Sequence, residues 1–245
     1  MCFNISITKI ADYLETRFNA KFINPETFEP IYHSSAFKTP KLPIICNDAP
    51  QKIQFFQWGL IPFWVKNQEQ ARKLMFNTFN AKSETIFEKP SFRTSIKTKR
   101  CLVLVDGFYE WKQLKGDKFP YYIKLANSEA FALAGVWDTW ENKQTGEKKN
   151  TFSIITTSAN KLLEEIHNTK KRMPVILKRQ DEKKWLEQDL DIEQIKAMMV
   201  PYDDAELEAY SVSKLITKKG QNTNVPEVIK KHEYDELKQK QSSLF

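Results

Sequence analysis

The stretch Arg100–Trp111, RCLVLVDGFYEW, constrains the fold more than any other part of the chain. Cys101 to Val105 is a short, unbroken apolar run rich in β-branched residues. Such a run reads as a strand buried on both faces. Asp106-Gly107 then marks a turn or a bulge. Beyond it, Glu110 stands among Phe108, Tyr109 and Trp111. Apolar walls penalise the ionised form of a carboxyl group, so this Glu is a candidate to hold a proton near neutral pH. The competing reading makes Glu110 a solvated or ion-paired strand end.

The elements around that strand are short. Phe55–Trp58, Phe119–Leu125, Phe131–Trp140, Thr151–Thr157, Val175–Leu177 and Ala209–Ile216 read as strands, and Asn142–Asn150 as a hairpin loop. Thr8–Ala20, with Thr8 as its cap, reads as an amphipathic helix, and so does Ala159–His167, capped by Ser158. Asp181–Leu186 and Asp191–Met199 are further helices, and Lys66–Leu74 is a loop or short helix. Asn24–Pro50, with five prolines, reads as loops between short strands. Many short strands with helices around them predict an α+β single domain. We place that domain at residues 1–225 and a lysine-rich helical tail at 226–245.

The net charge of +7 makes a polyanion such as nucleic acid a candidate partner. Cys2, Cys46 and Cys101 are too few and too scattered for a disulfide framework or a zinc site. The nucleotide-binding and zinc-protease motifs are absent from the sequence, and no cofactor is implied. The N-terminal stretch lacks a basic and apolar leader, and no segment reaches membrane-spanning length. The expectation is a cytoplasmic protein in a reducing compartment, associated with the nucleoid if its partner is DNA.

Four stretches carry candidate chemistry. Removal of Met1 would leave Cys2 as a terminal 1,2-aminothiol, whose amine condenses with an aldehyde and whose thiol then closes a thiazolidine ring; otherwise Cys2 is a packed thiol. In QFFQWGLIPFW, Trp58, Pro62, Phe63 and Trp64 are either core or a platform on which unpaired bases stack. Asn80, Lys82, Ser83 and Glu84 precede a basic strip of Lys89, Arg93, Lys97, Lys99 and Arg100, interleaved with Phe87 and Phe92, which suits a nucleic-acid backbone or a solvated face. His167 ends a helix, where the dipole favours its protonated form. His33 reads as a surface or satisfied histidine.

Taken together, Met1-Cys2, WGLIPFW, NAKSET, KPSFR, RCLVLVDGFYEW, AGVWDTW, TTSAN, Ile166-His167, RMPVIL and VSKLI resemble the SOS-response-associated peptidase family, in family order over nearly the whole chain. The resemblance implies a β-barrel-like core of mostly antiparallel strands with peripheral helices. It implies covalent capture of abasic sites in single-stranded DNA, a lyase-like crosslinking with autoproteolytic processing of the N-terminus. Carried over to this sequence, Cys2 is the nucleophile, Asn80 orients it and the opened sugar, and Glu110 and His167 are the catalytic acid–base pair. DNA contacts are implied at Trp58, Pro62, Trp64, Lys82, Ser83, Glu84, Arg93, Thr156, Thr157, Lys171 and Arg172. This chain departs from the family pattern at Phe3-Asn4-Ile5, at Lys82, at His33 and Ala36, and in a longer Asn168–Lys171 segment.

The chemistry asks for such groups. An abasic deoxyribose is mostly a closed hemiacetal; a proton donor at its ring oxygen, expected to be His167, would open it. The Cys2 amine attacks the aldehyde, Glu110 assists loss of water, and the thiol closes the ring. The alternatives are a thiol peptidase limited to processing its own N-terminus and a non-covalent single-strand binder.

Overall fold

The apolar run is buried along its whole length because it is a central strand. The structure, a computed structural model, describes residues 2–218 and 220–238. Its strands in chain order are β1 (Asn4–Ile7), β2 (Lys21–Phe22), β3 (Ile31–Ser35), β4 (Lys41–Cys46), β5 (Lys52–Trp58), β6 (Asn80–Lys82), β7 (Arg100–Val105), β8 (Gly107–Leu114), β9 (Asp117–Leu125), β10 (Phe131–Glu141), β11 (Lys148–Ser158), β12 (Arg172–Pro174) and β13 (Leu207–Ser211). The apolar run is β7, buried at every position and hydrogen-bonded to β10 on one side and β4 on the other, both antiparallel.

Two sheets share the chain. One runs β13-β9-β8-β1-β3; the other runs β12-β11-β10-β7-β4-β5-β2, with β6 added on β11. A parallel pairing of β11 with β5, Thr151 beside Gln57 and Phe152 beside Trp58, closes β5-β4-β7-β10-β11 into a barrel. Closure removes the exposed edges that an open sheet would present. The α+β single domain with a barrel-like, mostly antiparallel core is therefore borne out.

Asp106-Gly107 is where the chain passes from one sheet to the other. Gly107 has no alternative here: a Cβ would collide with the ring and hydroxyl of Tyr122. Asp106, 4 % exposed, accepts hydrogen bonds from Ser6 Oγ (2.7 Å), Thr8 N (2.6 Å) and Thr8 Oγ1 (2.5 Å). A buried carboxylate needs such donors to offset its desolvation. The corner is thus pinned to β1, the strand that follows Cys2.

Helices α1 (Ala11–Phe18), α2 (Gln68–Met75), α3 (Ser95–Thr98), α4 (Lys161–Ile166), α5 (Arg179–Trp185), α6 (Ile192–Met198) and α7 (Asp235–Lys238) flank the sheets. Two expected caps are corrected. Thr8 spends its hydroxyl on Asp106, so α1 starts after Ile10 without a side-chain cap. Ser158 ends β11, and Asn160 caps α4 by accepting from Leu163 N. The expected strand at Val175–Leu177 sits earlier, at β12, with only a bridge from Ile176 to Leu133 beyond it. The expected last strand ends at Ser211 and gives way to a 3-10 turn at Lys214–Thr217.

The lysine-rich tail is not one continuous helix in its described part. Pro226–Ile229 is a 3-10 turn and α7 is a single turn of α-helix. Between them the chain packs on the first sheet: Val228 is buried, His232 N donates to Ser211 O, and Tyr234 Oη donates to Val212 O. Residues 239–245 of that tail lie outside the described residues. Among the described residues no helix is long and apolar enough to cross a membrane.

Candidate active site

Cys2 lies two residues before the start of β1 and is fully buried. β1 pairs antiparallel with β8, Ile5 against Phe108 and Ser6 against Gly107. Antiparallel register raises one partner's number as the other falls, so Asp106's pinned corner sets the N-terminal residues alongside Glu110. Burial raises the Cys2 thiol above its ordinary range, and the Glu110 carboxylate nearby pushes it further the same way. The thiol therefore keeps its proton.

Glu110, 3 % exposed, sits between Tyr109 and Trp111 on β8. Burial pushes its carboxyl up to about 8. The apolar setting in the sequence thus has the expected effect, and Glu110 is neither solvated nor at the end of its strand.

His167 is the residue at which α4 stops, and its ring Nδ1 stands 3.5 Å from Glu110 Oε1. The same Nδ1 lies 2.9 Å from the carbonyl oxygen of Arg172. A carbonyl only accepts, so Nδ1 carries the hydrogen. Burial lowers the ring to about 4 and keeps it neutral, which leaves Nε2 as a lone-pair acceptor. The expected protonated histidine is corrected: the dipole of a six-residue helix is outweighed by desolvation.

Asn80 opens β6, which pairs in parallel with β11, Asn80 beside Ile154. Both polar atoms of its side-chain amide are buried without a hydrogen-bond partner among the described residues. A buried amide left so is costly unless a bound group completes it. Its neighbour Phe79 stacks edge-on with Phe3, ring centroids 6.3 Å apart, so the residues next to Asn80 and Cys2 touch.

A cleft of about 410 Å³ opens on Glu110 and His167. Phe3 and Trp111 form its apolar wall. No group of His, Cys, Asp and Glu positioned to hold a metal occurs among the described residues.

The surrounding residues divide differently from the sequence reading. Trp58 is fully buried, with its ring stacked on Phe152 and its Nε1 donating to Phe79 O, so it offers no face to a base. Pro62 is buried too. Exposed aromatic area belongs instead to Trp64 and Phe63, and to Phe37 and Phe76, which both pack on Phe79 at 5.6 and 5.7 Å. Phe37 and Phe76 carried no signal in the sequence beyond being aromatic.

Arg100 is fully buried, its guanidinium donating to the carbonyls of Ile96, Lys97, Trp185 and Glu187; it leaves the basic strip for the core. Lys99 is held by Asp138 at 2.5 Å, whereas Lys82, Lys89, Arg93 and Lys97 stay exposed. Thr156 and Thr157 are buried in β11. Arg172 clamps Glu84 through two hydrogen bonds of 2.5 and 3.0 Å and donates to Thr156 O at 2.6 Å, so its fork is committed within the fold. Ser83 N donates to Thr156 O, and Lys171 is exposed with a positive φ of 49°. His33 is satisfied, with Nδ1 2.7 Å from Thr223 Oγ1 and Nε2 2.9 Å from Asn4 Oδ1.

The sequence model described as SOS response associated peptidase (SRAP) matches residues 1–219. The chain is 37 % identical over 235 residues to the abasic site processing protein YoqW of Bacillus subtilis, covering 95 % of this chain and 100 % of that one. It is 29 % identical over 259 residues to the abasic site processing protein HMCES of Rattus norvegicus, covering 89 % and 71 %. A crystal structure of a protein from Bacteroides thetaiotaomicron superposes with a TM-score of 0.89 at 38 % identity, over 95 % of this chain and 100 % of that one.

Proposed function

The chain belongs to the SOS response associated peptidase family, and we propose that it processes abasic sites by capturing them covalently, in single-stranded DNA, through an N-terminal Cys2. The names of its relatives support abasic-site processing. The observation that carries the covalent reading is a neutral carboxyl, Glu110, buried beside both Cys2 and a neutral His167.

The chemistry follows from those protonation states. Met1 must be removed first, since only then is the Cys2 nitrogen an amine. Nε2 of His167 accepts the proton of the sugar's anomeric hydroxyl as the C1′–O4′ bond breaks, the C1′ aldehyde forms, and the same proton passes on to O4′, which becomes the 4′-hydroxyl. The amine adds to that aldehyde to give a carbinolamine. Glu110, protonated below about 8, gives its proton to the leaving hydroxyl, and as water departs the nitrogen's proton passes back to the Glu110 carboxylate and the imine forms. The Cys2 thiol then adds across the imine, its proton returning to nitrogen, and the thiazolidine is closed. The thiol's raised proton affinity suits this order, with the amine first and sulfur last. The open amide of Asn80 has a donor and an acceptor to offer the sugar hydroxyls. Exposed Phe63, Trp64, Phe37 and Phe76 suit flanking unpaired bases, and Lys82, Lys89, Arg93 and Lys97 suit phosphates. A DNA substrate is consistent with the cytoplasmic, nucleoid-associated location expected from the sequence.

Denaturing gels test the proposal. Protein with a verified Cys2 terminus is mixed with single-stranded DNA carrying one abasic site, beside intact DNA and a Cys2→Ala control. A shifted band that survives heat and detergent, requires the abasic site and vanishes in Cys2→Ala is expected. Its absence overturns covalent capture.

A further inference from the structure

The cleft beside Glu110 and His167 continues past the reacting groups, and its far wall is made of Gln113, Lys118, Thr169 and Lys170. The segment that follows His167 builds half of this wall. Asn168 docks it onto β8: Asn168 Nδ2 donates to Gln113 O at 2.8 Å, and Gln113 N donates to Asn168 Oδ1 at 3.1 Å. The two backbone amides of Lys170 and Lys171 return to His167 O at 3.2 and 2.8 Å. The loop is therefore held at both ends, on the histidine and on the strand.

The anchor residue matters. Gln113 is the cross-strand partner of Lys118 in the β8–β9 pairing. Docking Asn168 on Gln113 brings the loop, with Lys170, to the strand pair that carries Lys118. Both lysines line one cleft, and neither is paired with a carboxylate among the described residues. The one acid lining the cleft is Glu110, which is neutral below about 8. Two cations thus face a cavity without a counter-charge, a few residues from the reacting carboxyl. An anion is the natural occupant. In a DNA strand the anion beside a reacting sugar is its own phosphodiester.

We propose that Lys118 and Lys170 clamp a phosphodiester flanking the abasic sugar, with Asn168 as the positioning residue that holds the loop in place. The clamp rests on the capture reading and deepens it: the substrate must carry a charged phosphate on that side of the sugar. It fixes the strand's path through the cleft and sets which side of the abasic site must be intact DNA.

The test is capture kinetics on single-stranded DNA in which the phosphodiester on the 5′ or the 3′ side of the abasic site is replaced, one at a time, by an uncharged methylphosphonate. Lys118→Ala and Lys170→Ala are each expected to raise the half-saturating DNA concentration several-fold and to leave the rate at saturating DNA unchanged. Each lost contact should flatten the log–log salt dependence by about 0.7. Asn168→Ala, which removes no charge, should reproduce the Lys170→Ala shift, and Lys170→Arg should restore wild-type behaviour. One methylphosphonate position should cost the wild type as much as the double lysine variant loses, and cost that variant nothing further. Wild-type crosslinking with unchanged half-saturation and salt slope in both lysine variants overturns the clamp alone. A methylphosphonate penalty that persists undiminished in the double variant does the same. Absence of any wild-type crosslink overturns the capture reading, and the clamp falls with it.

Discussion

His167 Nδ1 stands 3.5 Å from Glu110 Oε1, yet both groups are neutral at pH 7, because burial moves their proton affinities in opposite directions. In an ordinary carboxylate–imidazolium pair both groups would be charged, and no carboxyl proton would be available. In the capture proposed above, these states suit Glu110 as the acid and His167 as the acceptor.

The single-turnover capture rate should therefore lose its Glu110 contribution as pH rises through about 8. Glu110→Gln should lower the rate at pH 7 by roughly 10²–10⁴-fold, the usual worth of a positioned acid. The variant's residual rate should lack the descending limb. Gel-resolved time courses across pH 5 to 9.5 measure both, and a limb of unchanged shape in the variant contradicts the assignment.

Stability should carry the same signature. Glu110 rises from an ordinary 4.5 to about 8, so the folded protein keeps a proton that the unfolded chain loses, and stability falls as pH climbs through that window. His167 drops from 6.5 to about 4, so its burial costs stability as pH falls through that range. The two slopes oppose each other between 4.5 and 6.5 and leave only the Glu110 decline from 6.5 to 8. Melting temperatures should show Glu110→Gln gaining on wild type from pH 6.5 to 8; parallel curves would be the adverse result.

Asn80 separates function from stability. Its amide is buried without partners among the described residues, so Asn80→Leu removes an unsatisfied group at similar volume. The melting temperature should hold or rise while capture falls on the order of 10²-fold, the scale of one lost positioned donor. A variant that captures normally shows that the amide does not face the sugar.

The two tryptophans of the WGLIPFW stretch should behave as opposites. Trp58→Ala empties a core site and should cost about 3–5 kcal/mol of unfolding free energy by denaturant titration. Trp64→Ala, at a position 46 % exposed, should leave the melt alone and weaken DNA binding by about 1–3 kcal/mol, one stacked base. Binding by anisotropy that is indifferent to Trp64→Ala places the bases elsewhere, with Phe37 and Phe76 next in line.

The fold was legible where burial and period agree. The run at 101–105 could only be an interior strand, and it is β7. Trp58 is legible too, from the alternation: Phe56 and Trp58 flank the polar Gln57 and are buried together. Caps were not legible, because Thr8 is claimed by a carboxylate 98 residues away. Arg100 looked like surface charge, since two of the four carbonyls that satisfy it come from Trp185 and Glu187, at and just beyond the end of α5, some 85 residues further on. The site residues themselves stood out in short motifs. The protonation of His167 did not, since it depends on how deeply the ring is buried and on a carbonyl five residues later.

The Asp106 corner works as the pivot of a caliper. Ser6 is held there by the carboxylate, and Cys2 lies four residues before Ser6, as Glu110 lies four residues after Asp106. Two arms of equal length thus leave one rivet and carry Cys2 and Glu110 at their tips. Motion of the corner carries both tips together and leaves the gap between them unchanged. Opening that gap requires both the corner and the Ile5–Phe108 pairing beyond it to give, so the spacing of Cys2 and Glu110 depends on a carboxylate four residues away from the nearer of them.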